Sequence, residues 1–476
     1  MEQAVQQLIE KSNGKEHFAQ QMQDFLILFN RFVNEKDQSQ IDWEKIRTPS
    51  EEDVKPYDSL ADDTSDEAIQ SLLSKLIVIK LNGGLGTTMG CTGPKSVIQV
   101  REEDTFLDLT IKQIQFLNSK YNVDVPLVLM NSFNTSEDSK KIITAPKYAN
   151  VKVRIECFEQ NQFPRIIKES LLPLPSDIPS DSNKEAWYPP GHGDFYSSFF
   201  QSPLYNQFKQ EGKEYIFLSN IDNLGATVDL RVLKYLTENQ VDFCMEVTKK
   251  TMADVKGGTL INYDGKAVKL LELAQVPKHH VKDFESIEKF KIFNTNNLWI
   301  RLPSIETQLE ELKRKVEIIN NEKEVDGVKI IQLETAAGAA IQVFNKSLGI
   351  EVPRSRFLPV KKCSDLMLVQ SNLYNLSEGY CLEKSSTEEA PIINLDDSYY
   401  KKVGDYLSNF SNGVPDIKEL TELDVRGHVV FGKNVVLKGK VTLIAKSKSI
   451  IADNTVLENT TLQLEPVSKI NSNNNQ

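Results

Sequence analysis

The stretch richest in chemistry runs Lys80-Leu81-Asn82-Gly83-Gly84-Leu85-Gly86-Thr87-Thr88-Met89-Gly90-Cys91-Thr92-Gly93-Pro94-Lys95-Ser96. Five glycines fall within eleven residues, directly after the apolar run Leu76-Ile77-Val78-Ile79. Glycines let a backbone approach a ligand closely and turn successive N–H groups toward phosphate oxygens. Lys95, at the end of the run, adds a point charge of the sign a phosphate needs. The pattern is neither of the two common phosphate loops. Pro94 separates Gly93 from Lys95, so GxxxxGK[ST] is absent, and Met89 takes the place of the third glycine in GxGxxG. A glycine-rich loop leaving a buried strand still reads as a nucleotide site.

Asp222 follows the apolar run Tyr215–Leu218 after a short step. A carboxylate at a strand's carboxyl end suits Mg²⁺, which takes one or two protein carboxylates and completes its shell with phosphate oxygens. Capping the next helix is the alternative use of the same residue. His192 stands between Gly191 and Gly193, which favours close approach of a ligand. His279 and His280 are neighbours and face apart on a strand, so they do not read as a metal pair. The five cysteines, Cys91, Cys157, Cys244, Cys363 and Cys381, are odd in number and form no CxxC pair. Neither a disulfide framework nor a zinc site is indicated, and a reduced, cytoplasmic protein is expected.

These residues need elements to hold them. At about 150 residues per domain, 476 residues predict about three domains. Residues 1–70 read as an N-terminal helical segment and an acidic linker. Phe18, Met22, Phe25, Phe29 and Phe32 share one helix face, and residues 51–67 are rich in Asp and Glu. Residues 71–380 read as α/β. Strand-like runs at 76–79, 125–130, 151–157, 215–218, 243–247 and 298–300 alternate with helical stretches such as 106–117 and 304–319, which predicts a parallel or mixed sheet. Ligands of such sheets bind outside the carboxyl ends of the strands. In residues 381–476, Val425, Phe431, Leu437 and Leu443 recur every six residues, with Val429, Val435 and Val441 in step. That period marks a parallel β-helix. The polar tail 471–476 is expected to be disordered. Lys and Arg number 56 against 67 Asp and Glu, a net charge of −11, which argues against a nucleic-acid binder. No signal peptide or membrane-spanning run is apparent.

The glycine loop resembles that of eukaryotic UTP–glucose-1-phosphate uridylyltransferases, also called UDP-glucose pyrophosphorylases. Further segments match in the family's order: 191–194 (Gly-His-Gly-Asp), 219–227 (Ser-Asn-Ile-Asp-Asn-Leu-Gly-Ala-Thr), 257–260, 293–299 (Phe-Asn-Thr-Asn-Asn-Leu-Trp) and 356–361 (Arg-Phe-Leu-Pro-Val-Lys). The resemblance implies an α/β fold with a Rossmann-like nucleotidyltransferase core and mixed sheet, an N-terminal helical segment and a C-terminal left-handed parallel β-helix. It implies the reaction of UTP with glucose 1-phosphate to give UDP-glucose and pyrophosphate, with Mg²⁺.

It also implies roles. Leu81, Asn82, Gly83 and Gly84 would hold the nucleotide through backbone contacts, Gln160 would contact uracil, and Gly191, Asn220 and Ile221 would complete the nucleotide site. Lys95 and Lys361 would contact phosphates, and Asp222 would bind the metal. His192, Asn220, Gly258, Glu272, Asn294 and Asn296 would hold the sugar phosphate. The small-molecule substrates are the expected partners, with neither nucleic acid nor membrane, and self-association through the C-terminal β-helix stays open. Cys363, beside Lys361, reads as a buried, inert thiol.

Overall fold

Eight strands form the main sheet, and their sequence pattern explains their place in it. The computed structural model describes residues 1–35, 41–62, 64–385 and 389–466, so the tail expectation for 471–476 lies outside the described residues. The strands are β1 (Val54–Pro56), β2 (Leu76–Leu81), β3 (Leu127–Asn131), β4 (Ile155–Glu159), β5 (Tyr215–Asn220), β6 (Phe243–Lys249), β7 (Ile292–Arg301) and β8 (Ser347–Glu351). Their spatial order is β1-β8-β6-β7-β5-β2-β3-β4, and β7 runs antiparallel to both its neighbours while all other pairs are parallel. Continuous apolar runs such as Leu76–Ile79 are what a strand covered on both faces requires, and those residues are at most 2% exposed. The sheet is therefore mixed, as expected.

The chain divides into two compact units. The first comprises Met1–Gly83, Leu117–Asn220 and Val228–Arg356 and contains the whole main sheet. Its N-terminal helix Glu16–Asn34 presents Phe18, Met22, Phe25, Phe29 and Phe32 to Phe163, Trp187, Tyr188 and Leu333, all buried. A buried ion pair, Lys313 Nζ to Asp24 at 2.9 Å, fixes the same helix. Part of the acidic stretch is sheet: β1 pairs with β8, and Asp53 accepts from Ser50 N–H at 2.8 Å and Asn262 at 2.9 Å. The expected helix at 304–319 is shorter, Leu302–Lys315. Ile318 already opens a strand, Ile318–Val325, that pairs with Val328–Thr335.

Inside this unit Glu246 of β6 is fully buried. Its carboxylate accepts from Trp299 Nε1 (2.9 Å), Asn297 Nδ2 (2.9 Å), Arg356 Nε (2.8 Å) and Arg356 Nη2 (2.6 Å). A charge removed from water persists only when paired and hydrogen-bonded on every side, and here it is.

The second unit comprises Gly84–Phe116, Ile221–Thr227 and Phe357–Gln476. It carries β9 (Ile392–Leu395), β10 (Leu420–Arg426), β11 (Val429–Phe431), β12 (Val436–Ala445), β13 (Ser449–Ile451) and β14 (Val456–Leu464). Every pairing among them is parallel: β9-β10-β12-β14 in one sheet and β11-β13 in another. Val425 lies beside Leu443, which lies beside Leu462, and Phe431 lies beside Ile451. Both six-residue apolar series are at most 2% exposed, so the period read from the sequence is the inward-facing set. No helix among the described residues is long and apolar enough to cross a membrane.

Replacing Arg356 by Met leaves the Glu246 carboxylate buried without its cation. The expected loss is about 3–5 kcal/mol, read by urea unfolding at neutral pH, and adding Glu246→Gln recovers most of it.

Candidate functional site

The carboxyl ends of β2, β3 and β5 place the first group of candidates. Leu81, the last residue of β2, pairs with Asn220, the last of β5. Asn82 then turns inward: its Nδ2 donates to Asn131 Oδ1 (2.7 Å) and Ser139 Oγ (2.9 Å), and its N–H donates to Met130 O (2.8 Å). The turn is fixed further by Ser132 Oγ, which donates to Gly83 O at 2.7 Å. Gly83 must be glycine, because a Cβ there would stand 2.3 Å from Gln160 Nε2. The Gln160 amide thus packs directly against the Gly83 backbone. Asn82 Oδ1, Gln160 Oε1 and Asn161 Oδ1 are buried and have no hydrogen-bond partner among the described residues. Buried polar atoms left unsatisfied in a protein point to a missing polar ligand or water. A planar base edge offering both donors and acceptors fits this cluster.

His192 lies on a short loop packed on Thr335. Gly191 has a φ of +84°, and Cβ atoms on Gly191 or Gly193 would come within 2.7 Å of Thr335 atoms. Ala337 N–H donates to His192 Nδ1 at 3.1 Å. That contact needs an unprotonated Nδ1, so the ring proton sits on Nε2 and the imidazole offers a donor there.

A β-bulge positions the asparagines. Between β6 and β7 the register shifts, Glu246 pairing with Asn297 and Val247 with Asn294, so that Thr295 and Asn296 are inserted. Thr295 Oγ1 pins the bulge by donating to Glu246 O at 2.7 Å. Asn296 takes a left-handed φ of +60°, its N–H donates to Asn294 Oδ1 (2.7 Å), and its Nδ2 donates to Asn220 Oδ1 (3.0 Å). Bulges re-aim side chains in this way. Asn294 N–H in turn donates to Gly258 O at 2.7 Å. A Cβ on Gly258 would stand 2.5 Å from Glu272 Oε1, so that glycine makes room for the carboxyl. Burial, and then the charge of Glu317, push the Glu272 carboxyl up to about 7.

Lys95, Ile221, Asp222 and Lys361 belong to the second unit, as does Gly84. Gly84 O accepts from Lys95 N–H at 3.3 Å, and a Cβ on Gly84 would meet nothing within 4 Å, which leaves that backbone open. Ile221 is 5% exposed and packs with Leu224 and Val360 in a continuous apolar cluster, so its side chain is committed to the core. Asp222, 6% exposed, receives both lysines: Lys95 Nζ at 2.6 Å, and Lys361 Nζ at 2.9 and 3.2 Å. Val360 N–H donates to Asp222 O at 3.0 Å, which ties the segment before Lys361 to the aspartate. Asp222 therefore caps no helix with its side chain. Cys363 is buried, and burial pushes its thiol up to about 12, which makes it inert. His279 and His280 lie on a 3₁₀ turn rather than a strand, with His280 stacked on Trp43 at 4.5 Å. Among the described residues no three of His, Cys, Asp or Glu converge to hold a metal ion.

The comparisons decide the family. The model of the family described as UTP–glucose-1-phosphate uridylyltransferase matches residues 22–438. The chain belongs to this family. The uridylyltransferases of Pyrus pyrifolia and Hordeum vulgare are 55% and 54% identical to it over 440 residues, covering 91% of this chain and 92% and 91% of theirs. A mutant UDP-glucose pyrophosphorylase of Leishmania major, solved with UDP-glucose, matches with a TM-score of 0.83 at 34% identity, covering 97% of this chain and 99% of that one. The Trypanosoma brucei protein matches with a TM-score of 0.81 at 35% identity over 97% of this chain. Within the first unit of this uridylyltransferase, the asparagine bulge meets Asn220 at the carboxyl end of β5, the end of a strand outside which ligands of such sheets generally bind.

Most of these residues were legible in the sequence, but their supports were not. Asn131, Ser132, Asn161 and Asp194 shore up the Gly83 turn and the histidine loop, and Glu246 and Arg356 anchor the bulge strand. Asp194 and Arg356 were within reach, since both lie in the segments that carry the resemblance.

The raised Glu272 carboxyl gives a signed prediction. The folded protein holds this proton more tightly than the unfolded chain, so stability falls as pH climbs from the ordinary carboxylate range to about 7. Glu272→Gln removes that fall. Thermal unfolding should show the variant more stable than wild type at pH 8 and equal to it near pH 4.

Proposed function

We propose that this chain catalyses the reaction of UTP with glucose 1-phosphate to give UDP-glucose and pyrophosphate. Two lysine ammonium groups converging on one buried aspartate carry the reading. Such a transfer needs little covalent help; positioning and charge neutralisation supply most of the rate. An acidic protein must build its cationic site locally, and Lys95 and Lys361 are that site. Both exchange Asp222 for phosphate oxygens and neutralise charge as the sugar phosphate attacks the α-phosphorus and pyrophosphate leaves.

The uridine takes the Gly83 backbone and the Gln160 amide, whose side-by-side donor and acceptor match a pyrimidine edge. His192 donates Nε2–H to the sugar phosphate. It is not a general base, because the attacking phosphate is already ionised. Asn294, Asn296, Asn220 and Glu272, with the Gly258 backbone, supply the paired donors and acceptors that sugar hydroxyls require.

The donor set also fits Mg²⁺. Asp222 is a lone carboxylate beside the phosphate-binding lysines, which suits an ion held by one protein carboxylate and substrate oxygens. Bound there, the ion would neutralise phosphate charge.

The wider reading keeps the three parts 1–70, 71–380 and 381–476. It takes the parallel strands β9–β14 as a left-handed β-helix, supported by their registers and the buried six-residue series. β14 stands last in its sheet with Val456 59% exposed, an edge suited to self-association. The cytoplasmic assignment rests on the cysteines, which stand as thiols.

Pyrophosphate release from UTP, glucose 1-phosphate and Mg²⁺ tests the proposal. Strong release with glucose 1-phosphate is expected, and weak release with galactose or N-acetylglucosamine 1-phosphate. Lys95→Ala should cost about 10²–10³-fold in kcat. No release from folded protein that binds UTP would sink the assignment.

A further inference from the structure

Asp194 stands at the N-cap of the helix Phe195–Gln201, the position where an aspartate ordinarily accepts from the first helical N–H groups. Here its side chain makes no cap hydrogen bond. Instead Oδ2 accepts from Asn161 N–H at 2.7 Å and Oδ1 accepts from Asn161 Nδ2 at 2.7 Å. Both residues are buried, Asn161 at 1% and Asp194 at 8% exposed. The carboxylate thus grips one residue by backbone and side chain at once. That residue directly follows Gln160, whose own N–H donates to Asn131 O at 2.8 Å. Asp194 itself lies two residues after His192.

The choice of aspartate is costly. Burial pushes this carboxyl up to about 7 against the hydrogen bonds from Asn161. An asparagine would remove the desolvation cost but would turn one NH₂ group against a donor of Asn161. Helix capping does not account for the aspartate, since the cap is unused. The two-pronged grip does.

We infer that Asp194 is a positioning residue that sets the Gln160 amide against the Gly83 backbone and so links nucleobase selection to the loop bearing His192. The inference rests on the proposed uridylyltransfer, and within it assigns nucleobase specificity to a residue that touches no substrate. Gln160 discriminates because uracil presents an N–H donor beside a carbonyl acceptor, while cytosine presents the reverse order. The discrimination holds only while the amide is fixed in place.

The test measures kcat and KM for UTP and for CTP with glucose 1-phosphate, in wild type, Asp194→Asn and the exchange Asn161→Asp/Asp194→Asn. The exchange restores an acceptor for the backbone N–H and a donor–acceptor pair between the side chains. Asp194→Asn should lower the UTP-to-CTP ratio of kcat/KM roughly tenfold or more through the KM for UTP, and the exchange should recover most of it. Asn161→Ala, which keeps the backbone bond, should give a smaller fall in the same ratio and serves if Asp194→Asn does not fold. An unchanged ratio in folded variants, with only the melting temperature lowered, overturns the inference. The wild-type arm is read separately: absence of release from UTP there overturns the reaction itself, and leaves the Asp194 inference without its basis.

Discussion

A carboxylate with no access to water governs the architecture of the first unit. Glu246 sits in the middle of the main sheet with four N–H donors around it, two of them from one guanidinium. Because its charge has to be met from all sides, β6, β7 and the segment ending at Arg356 are held in one relative arrangement. Asn297 answers it from β7, and Asn297 directly follows the two inserted residues of the bulge. The register that satisfies Glu246 is therefore the register that turns Asn296 out of the ladder. Trp299 continues the same logic, stacking on Phe217 of β5 at 4.3 Å while its indole N–H meets the carboxylate.

The site repeats one device at different scales: rigid main chain obtained from buried side-chain amides. Asn82 and Asn131 lock the turn after β2, Asn161 is locked by Asp194, and Asn294 locks the bulge through the Asn296 N–H. Amides suit the task because each supplies both a donor and an acceptor without a charge to desolvate. The glycines complement them. Gly83, Gly193 and Gly258 stand where a single methyl group would collide with Gln160, Thr335 or Glu272, so each packs a neighbouring side chain against bare backbone. On the proposed function, substrate groups would meet surfaces whose shape is set before they arrive, and such positioning supplies most of the rate of a phosphoryl transfer.

Much of this could be read in the sequence. Apolar runs located six of the eight strands of the main sheet, since strands covered on both faces admit few polar residues, and the six-residue series located the inward positions of β10–β12. The glycine loop announced a nucleotide site by composition alone, and the resemblance supplied the other candidates. Geometry produced by pairing could not be read. Nothing in Phe293–Trp299 signals an inserted pair of residues, because a bulge depends on the neighbouring strand. The acidic stretch hid β1, since Val54 and Pro56 are too few to show alternation. Asp194 stands at a helix N-cap but its side chain serves another purpose, which only the position of Asn161 reveals.

The cluster around Asp222 sets a threshold for anions. Both ammonium groups already hold a carboxylate, Lys95 well shielded from solvent and Lys361 more than half exposed. An anion gains these cations only by displacing Asp222, so its gain is the difference between two partners and not the full attraction of either. A chloride ion or a single carboxylate has little to offer in such an exchange. In the proposed reaction a triphosphate chain, with several charged oxygens acting together, would replace the aspartate on both lysines at once. On the proposed function, selectivity for polyphosphate over small anions would then follow from the resting ion pairs themselves, in a protein whose overall charge of −11 repels all of them.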